Sequence, residues 1–197
     1  MDSLFIGSHP AVDFLNTAFA PDVEPIETIG DGRSFLRWLV AAKLLDEAQA
    51  NRLQRRLGAK GVDAAAAEAR KLREWAREWL ERWRGAPDGP YAKELETLNQ
   101  WLAHETQHRE VTATAAGFEW IVRSHADSTD EILALLAAQI AALVIEEDAS
   151  LLKACAGSGC TLWFLDRTKA HRRLFCSTAA CGNRAKVAAF RERQRGK

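Results

Sequence analysis

Four cysteines, all within the last quarter of this 197-residue chain, set the strongest limit on how it can fold. They form two pairs of identical spacing, Cys155 with Cys160 and Cys176 with Cys181, separated by fifteen residues. A tetrahedral Zn²⁺ site is well served by two short loops of this kind, because each loop presents two thiolates to one ion. The spacing therefore predicts one structural zinc ion, with all four coordination positions taken and none open for catalysis.

The residues between and after the cysteine pairs predict the shape of this C-terminal unit. Apolar residues at 162–165 and 174–175 flank a polar stretch at 166–171, which is typical of a hairpin that returns the second pair to the first. Strong helix formers follow Cys181. We therefore expect a knuckle, a hairpin and a helix, in a treble-clef-like or ribbon-like arrangement.

The predicted C-terminal helix carries an apolar stripe. Val187 and Phe190 are three residues apart, so they lie on one side of the helix. We expect this stripe to pack on Leu162, Phe164 or Leu174 and so to hold the helix against the hairpin.

Disulfides are the main alternative use of four cysteines. The chain starts with Met1 and Asp2 and shows neither the basic stretch nor the apolar segment of a secretory signal, which predicts a cytoplasmic protein. Cytosolic thiols stay reduced, so zinc is favoured over disulfides. Zinc also stabilises a unit that is too small to fold on its apolar core alone.

The run from Cys155 through Cys176-Ser-Thr-Ala-Ala-Cys181 to Gly182, Asn183 and Arg184 resembles the CGNR zinc finger, named after its tetrapeptide. Residues 11–17, with the sequence AVDFLNT, look like the start of the helical ABATE domain that precedes this finger. The resemblance implies an ABATE-like domain at 1–149, for sensing or dimerisation, and the finger at 150–197. The family is regarded as bacterial, and its members are described as stress-induced transcription regulators.

Charge divides the chain at the same place. The whole chain has 27 basic and 27 acidic residues, but residues 151–197 hold eleven Lys and Arg against two acids, a formal charge of +9, and residues 1–150 carry −9. A basic unit on an acidic body is typical of phosphate binding. We therefore predict a transcription regulator that binds nucleic acid, with DNA favoured.

The basic residues of the finger fall into two groups. On the predicted helix, Arg184, Arg191 and Arg195 share one edge, and two more basic residues border the apolar stripe on its other side. A second group lies on the predicted hairpin. The candidate nucleic-acid-binding residues are Arg172, Arg173, Arg184, Lys186, Arg191, Arg193 and Arg195.

Other interpretations of this basic unit stay open. The finger can instead dock on another protein, as an interaction adaptor, or on the acidic N-terminal domain of its own chain. Arg184 in particular can be structural, with a hydrogen bond back over the zinc knuckle. A single finger binds DNA weakly, so we expect a homodimer. These patterns do not identify the target sequence or the sensed signal, and they do not distinguish DNA from RNA.

The first 150 residues predict a mainly α fold with one small β-hairpin. Asp31 or Ser34 can cap a helix at 35–44, and Ser128 can cap another that runs to Lys153. Further helices are expected at 48–57, 64–84 and 91–105, and the hairpin at 109–114 and 118–123. No apolar run is long enough to span a bilayer, so no membrane partner is expected.

One motif in this part raises the question of an enzyme. His104-Glu-Thr-Gln-His108 is a literal HExxH, which in zincin proteases places two histidines on one helix face. Here the predicted helix ends at the motif and strand-like sequence follows, with His125 or Glu119 as the nearest third ligand. We expect no enzyme, and keep an HExxH metallohydrolase as a remote alternative.

Two further sets of residues have both a binding and a structural interpretation. Asp13, Asn16 and Thr17 lie on one side of a helix and can either bind a small-molecule ligand or lock the N-terminal segment in place. Six tryptophans can form an aromatic cage for a cation, although their helical spacing favours the core: Trp38, Trp75, Trp79, Trp83, Trp101 and Trp120.

Overall fold

Helices dominate the fold, as the sequence predicts. The computed structural model describes residues 4–21 and 24–195. Its helices are α1 (Pro10–Leu15), α2 (Gly32–Ala41), α3 (Glu47–Gly85), α4 (Ala92–Leu102), α5 (Thr129–Glu146) and α6 (Asn183–Arg195). Within the described ranges, no helix is both long enough and apolar enough to cross a membrane.

In the described part of the chain, three antiparallel two-stranded ribbons complete the fold. They are β1 (Ala18–Phe19) with β2 (Ile26–Glu27), β3 (Thr106–Thr114) with β4 (Gly117–His125), and β5 (Leu152–Ala154) with β6 (Trp163–Leu165). The ribbon β3–β4 is the hairpin predicted at 109–114 and 118–123, and each of its strands is extended by two to three residues at the open end. The mainly α architecture with small hairpins is confirmed.

The longest helix, α3, joins two helices that the sequence predicts separately. Asp46 caps it by accepting a hydrogen bond from the Gln49 N–H at 2.7 Å, and the Gln49 side chain bonds back to the Asp46 N–H. Gly58 has φ 67° and kinks the chain between the two parts. Only glycine adopts this conformation without strain, so the kink follows from the residue type.

The helix α5 ends earlier than expected. It stops at Glu146, and a 3-10 turn at Ala149–Leu151 leads into β5, so Lys153 lies in a strand. Three acidic residues, at 146–148, crowd the C-terminal end, where the helix dipole disfavours negative charge. Similarly, α4 ends at Leu102, before the predicted Glu105.

One hydrophobic core runs through both predicted domains. Helices α1, α2, α3 and α5 contribute most of it, and Leu152, Trp163 and Leu165 of the C-terminal unit belong to the same cluster. A second, smaller cluster surrounds the four cysteines and includes Phe19 of β1. The C-terminal unit is therefore packed into the body along β5 and β6.

The tryptophans do not form a cage. Trp75 packs against Trp79 and Trp101, with ring centroids 5.3 and 4.8 Å apart, and Trp38 packs against Phe14 in the core. Trp120 lies on β4 and is exposed, apart from these ring contacts. The structural interpretation of the helical tryptophans is the one that the packing supports.

Candidate metal centre

The four cysteine sulfurs converge in one cluster. All four side chains are buried, and their Sγ atoms lie within 4.8 Å of one another. Cys160 and Cys176 have Sγ atoms 3.9 Å apart, and Cys176 and Cys181 have theirs 3.6 Å apart. Tetrahedral zinc with four thiolates at about 2.3 Å places the sulfurs about 3.8 Å apart. The donor set therefore fits one Zn²⁺ ion, as the spacing predicts.

The ribbon β5–β6 positions the first pair. The Cys155 N–H donates to the Leu162 carbonyl at 2.8 Å, which continues the pairing of the two strands up to the loop. The loop closes when the Cys160 N–H donates to the Gly157 carbonyl at 3.0 Å, with Gly159 at φ 73°. The first pair is thus a tight turn at the end of a two-stranded ribbon.

Gly157 brings the two pairs close together. A Cβ atom at this position would lie 3.0 Å from the Cys181 Sγ and 3.4 Å from the Cys155 Sγ. The Gly157 N–H points at the Cys155 Sγ from 3.4 Å, and the Cys176 N–H points at the same sulfur from 3.3 Å. Amide groups aimed at a thiolate stabilise its negative charge. Glycine is therefore needed here for close approach.

The second pair is not returned by the predicted hairpin. The strand β6 pairs with β5, which precedes the first pair, and residues 174–175 form no strand. The segment before Cys176 is instead bonded to the first cysteine loop, where the Ala156 N–H donates to the Leu174 carbonyl at 2.8 Å. A single π-helical turn at Thr178–Gly182 then presents Cys181 at the start of α6.

Arg184 contacts the cluster of cysteine sulfurs. Its guanidinium donates to the Cys181 Sγ at 3.0 Å and to the Pro21 carbonyl at 2.6 Å. Burial acts to raise the pKa of the Cys181 thiol, but the hydrogen bonds from Arg184 and the other thiols bring it below its ordinary value. Burial raises the pKa of the Cys160 thiol to about 11. This geometry supports the structural interpretation of Arg184.

Arg173 is likewise bonded within the C-terminal unit. Its Nε donates to the Phe175 carbonyl at 2.9 Å, its guanidinium also reaches the Cys176 carbonyl, and it lies 4.1 Å from the centre of the Phe164 ring. Arg173 therefore fastens the second cysteine pair to β6. Its guanidinium, like that of Arg184, is thus bonded within the fold.

The apolar stripe of α6 does not pack as predicted. Val187 and Phe190 are 48% and 56% exposed, and Leu174 is 61% exposed. Leu162 and Phe164 are already covered by the cysteine cluster and Phe19, so they leave no surface for the stripe. The other side of α6, with Ala185 and Ala188, borders the first cysteine loop.

The remaining basic candidates are exposed. They are Arg172, Lys186, Arg191 and Arg193, and the side chain of Arg195 lies outside the described residues. In the described part of the chain, none of these four is in an ion pair or a side-chain hydrogen bond with a carboxylate.

Two family models match the chain. The ABATE model, described as "Putative stress-induced transcription regulator", matches residues 8–147, and the CGNR zinc finger model matches residues 152–194. This chain belongs to the ABATE family. Both resemblances that the sequence predicts are confirmed, and they support a regulatory role. A search of curated proteins finds no match.

In this ABATE protein the two matched regions are joined by a buried pair of hydrogen bonds. Asn16 Nδ2 donates to the Trp163 carbonyl at 2.8 Å, and the Trp163 N–H donates to Asn16 Oδ1 at 2.9 Å. The guanidinium groups of Arg77 and Arg84 lie 5.7 and 5.4 Å from the centre of the Trp163 ring. The zinc finger is therefore docked on the ABATE region through its strand β6.

Charges also join the two regions. Arg167 of the finger is paired with Glu147 at the end of α5. This ion pair is of the kind expected from the alternative in which the basic finger docks on the acidic N-terminal domain of its own chain. It involves the side of the finger that faces α5, and leaves α6 exposed.

Asp166 is a structural residue that sequence reasoning missed. It is buried and accepts hydrogen bonds from Lys153 Nζ at 2.6 Å, from the Arg173 N–H at 2.8 Å, and from Thr168. These donors outweigh the effect of burial and hold the pKa of the carboxyl well below its ordinary value. The sequence does carry a signal for this role, because Asp166 is an acidic residue directly after an apolar strand in a basic segment.

The three candidate ligand-binding residues are used by the fold. Besides the Asn16 bonds, Thr17 Oγ1 donates to the Phe14 carbonyl at 2.7 Å and accepts from Arg73 at 2.9 Å. Asp13 accepts from the Gly7 N–H at 2.8 Å. Asn16 and Thr17 are buried with these partners, and this geometry supports the interpretation in which they lock the N-terminal segment.

The HExxH motif does not form a helical metal site. His104 lies in the turn after α4, and His108 lies in β3, where its Nε2 is 2.8 Å from a Glu110 carboxylate oxygen and its ring stacks on His125. Within residues 4–21 and 24–195, the cysteines are the only cluster of three or more His, Cys, Asp or Glu side chains that could hold a metal ion.

Proposed function

We propose that this protein is a transcription regulator that binds duplex DNA through α6. The observation that carries the proposal is the exposure of α6, from Lys186 to Gln194, together with the positions of its basic residues. The family description directs the proposal towards a stress response. Zinc serves as a structural ion in this proposal, and the protein is not an enzyme.

The side chains of α6 are arranged in three parallel bands. At about 100° per residue, Val187, Phe190 and Gln194 share the central band. Lys186 and Arg193 border this band on one side, and Arg191 borders it on the other. An apolar and amide band between two basic edges matches the cross-section of a groove that has bases at its floor and phosphates along its rims.

Each band has a chemical counterpart in DNA. The major groove is about 12 Å wide and admits one helix. Apolar side chains such as Val187 and Phe190 contact thymine methyl groups, and the amide of Gln194 can pair with adenine N6 and N7. Lys186, Arg191 and Arg193 then reach phosphates, which orient the helix without reading sequence.

The metal centre fixes where α6 starts. Cys181 lies two residues before the start of α6, and Arg184 in the first turn of α6 bonds to the Cys181 sulfur. When bound, zinc supplies folding energy and a fixed geometry, because four thiolates leave no open coordination position. The chain's own contacts then tie this unit to the body, through Asn16 at β6 and through the hydrogen bond from Arg184 to the Pro21 carbonyl at the first turn of α6.

The adaptor hypothesis explains less of this geometry. The docking of the finger on its own ABATE region uses β6, Arg167 and the contact of Arg184 with Pro21, and it leaves Lys186, Arg191 and Arg193 exposed. A protein partner at α6 would have to match basic side chains on two sides of an apolar stripe. In DNA, the phosphates along the two rims of a groove match basic side chains on both sides of such a stripe.

The test measures the affinity of the zinc-loaded protein for a generic DNA duplex by fluorescence anisotropy, over a series of salt concentrations. The variant changes Lys186, Arg191 and Arg193 to Ala. The matched control changes Arg52, Arg55 and Lys60, three exposed basic residues of α3, to Ala. Removal of one phosphate-binding side chain reduces the slope of log K against log salt by about 0.9.

We expect the α6 variant to lose about two to three units of this slope and the control to keep it. Absence of binding by the wild-type protein at low salt, or equal losses in both variants, contradicts the proposal and favours the adaptor. A duplex RNA of the same sequence should bind more weakly, because its deep and narrow major groove does not admit a helix.

A further inference from the structure

The ribbon β3–β4 has an apolar face that the body does not cover. Val111, Phe118, Trp120 and Val122 are 58%, 84%, 67% and 59% exposed. Val111 pairs with Trp120, Arg109 with Val122, and Ala113 with Phe118. Directly paired residues lie on the same face of a ribbon, and so do residues two apart. All four large apolar side chains therefore lie on one face.

The opposite face of the ribbon is mostly polar. It carries Glu110 paired with Ile121, Thr112 paired with Glu119, and His108. A two-stranded hairpin is marginally stable in water unless a hydrophobic face packs against something else. The alternation of apolar and polar residues along β3 and β4 therefore indicates a ribbon with one solvated face and one face that requires a partner.

The body reaches this ribbon at its base only. Gln49 Nε2 donates to the Ser124 carbonyl at 3.1 Å, and Val122 borders a groove whose other side includes Leu44 and Leu135. From Val111 to Phe118, towards the tip, the apolar face has no such neighbour among the described residues.

We propose that this face is a homodimer interface, in which the ribbons of two copies of the chain pack face to face about a two-fold axis. Aromatic side chains bury about 150–250 Å² each, so the four exposed residues offer on the order of 500 Å² per copy. Two copies then bury about 1,000 Å², which is the lower threshold for a specific interface. An apolar patch of this size is at the upper end for a monomer.

The distribution of charge on the face fits a second copy. Arg109 is the only charged residue of the apolar face, and it lies at the end near the body. A two-fold axis near the Val111–Trp120 pair places apolar side chains on apolar side chains and keeps the two Arg109 side chains apart. Each Arg109 then lies near Phe118 of the second copy, where a guanidinium and an aromatic ring attract each other.

The dimer does not depend on DNA binding, but it has a consequence for it. Two copies present two α6 helices on one particle, and linked modules bind far more tightly than single ones. The weak binding of a single finger already predicts a homodimer. The exposed face of β3–β4 supplies the surface that such a dimer needs.

The first test is the mass of the full-length, zinc-loaded protein by size-exclusion chromatography with light scattering, at tens of micromolar. We expect about twice the 21.9 kDa of one chain. A double variant, Phe118→Lys with Trp120→Lys, should be monomeric. The control Glu119→Lys makes the same change in charge at the residue between them, on the opposite face, and should stay dimeric.

A second test reports on the geometry and does not depend on a strong dimer. Val111→Cys places a thiol near the proposed axis, and mild oxidation should give a covalent dimer on a non-reducing gel. Glu119→Cys, on the other face, should not. A monomeric wild-type protein, a double variant that stays dimeric, or equal cross-linking at both positions overturns the proposal. Circular dichroism of each variant verifies that the helices are intact.

Discussion

The ribbons β5–β6 and β3–β4 are built from the same antiparallel pairing, yet their surroundings are opposite. The short ribbon has three residues per strand, and Trp163, Phe164 and Leu165 are all buried between the body and the cysteine cluster. The long ribbon has nine residues per strand and exposes Phe118 and Trp120. Strand length therefore does not decide how firmly a ribbon is held. The contacts on the two faces of a ribbon decide how firmly it is held.

The largest effect is expected from the metal centre, because it holds the short ribbon in place. Cys176→Ser should lose zinc and unfold the C-terminal unit, since a structural zinc site contributes on the order of 10 kcal/mol of folding energy. Trp163 and Leu165 are part of the main core, so thermal unfolding of the helical body should move to lower temperature as well.

The measurement is zinc content together with thermal unfolding followed by circular dichroism. Ser158→Ala, a change at an exposed position of the first cysteine loop, is the control and should retain zinc. A Cys176→Ser protein whose helices melt at the wild-type temperature would show that the body does not need β6.

A matched pair of phenylalanines compares the two ribbons directly. Phe164→Ala removes a fully buried ring from β6 and should lower the free energy of unfolding by about 3–5 kcal/mol. Phe118→Ala removes an exposed ring from β4 and should change it by less than about 0.5 kcal/mol in the monomer. Urea unfolding at low protein concentration measures both. Similar losses for the two variants would mean that the long ribbon is covered within one chain.

The link between the two regions is tested at Asn16. Asn16→Ala leaves the buried N–H and carbonyl of Trp163 without partners, which should lower the free energy of unfolding by about 3 kcal/mol. Asn99→Ala, at an exposed position of α4, is the control and should change it by less than about 0.5 kcal/mol. Equal losses of stability in the two variants, measured by urea unfolding, would contradict a role of Asn16 in docking.

The smallest effect concerns pH. Burial raises the pKa of Asp13 to about 6, against hydrogen bonds from backbone N–H groups that lower it. The folded protein therefore holds this proton more tightly than the unfolded chain, so the contribution to stability is full below about pH 4 and is lost as the pH rises through about 6.

Asp13→Asn keeps an acceptor for the Gly7 N–H and removes the charge. It should unfold at a higher urea concentration than the wild type at neutral pH, with a difference that shrinks towards pH 4. Asp88→Asn, in the exposed loop after α3, controls for the loss of one negative charge. A difference between Asp13→Asn and wild type that is independent of pH would exclude titration of Asp13 as its cause.

The features predicted correctly are those encoded by neighbouring residues. The zinc ligands follow from two short spacings, and the helix starts at Asp31 and Ser128 follow from side chains that cap the next turn. Trp79 and Trp83 are buried, as their helical spacing predicts.

The features that were missed depend on residues far apart in sequence. A three-residue strand such as β5 has no recognisable pattern, so the partner of β6 was misassigned. The spacing of Val187 and Phe190 identifies an apolar stripe, but does not reveal whether anything covers it. Likewise, Asn16 in an N-terminal helix gives no indication that its partner is Trp163.

The hydrogen bonds between Asn16 and Trp163 span 147 positions of the chain, and this has a consequence for biosynthesis. The ribosome delivers α1 before β6, so the helix waits for the synthesis of 147 further positions before the strand that completes its packing is present. Contacts of such long range slow folding. Nascent chains that end before β6 should therefore expose apolar surface of α1 to chaperones and proteases, and the core can close only after residue 163 has left the ribosome.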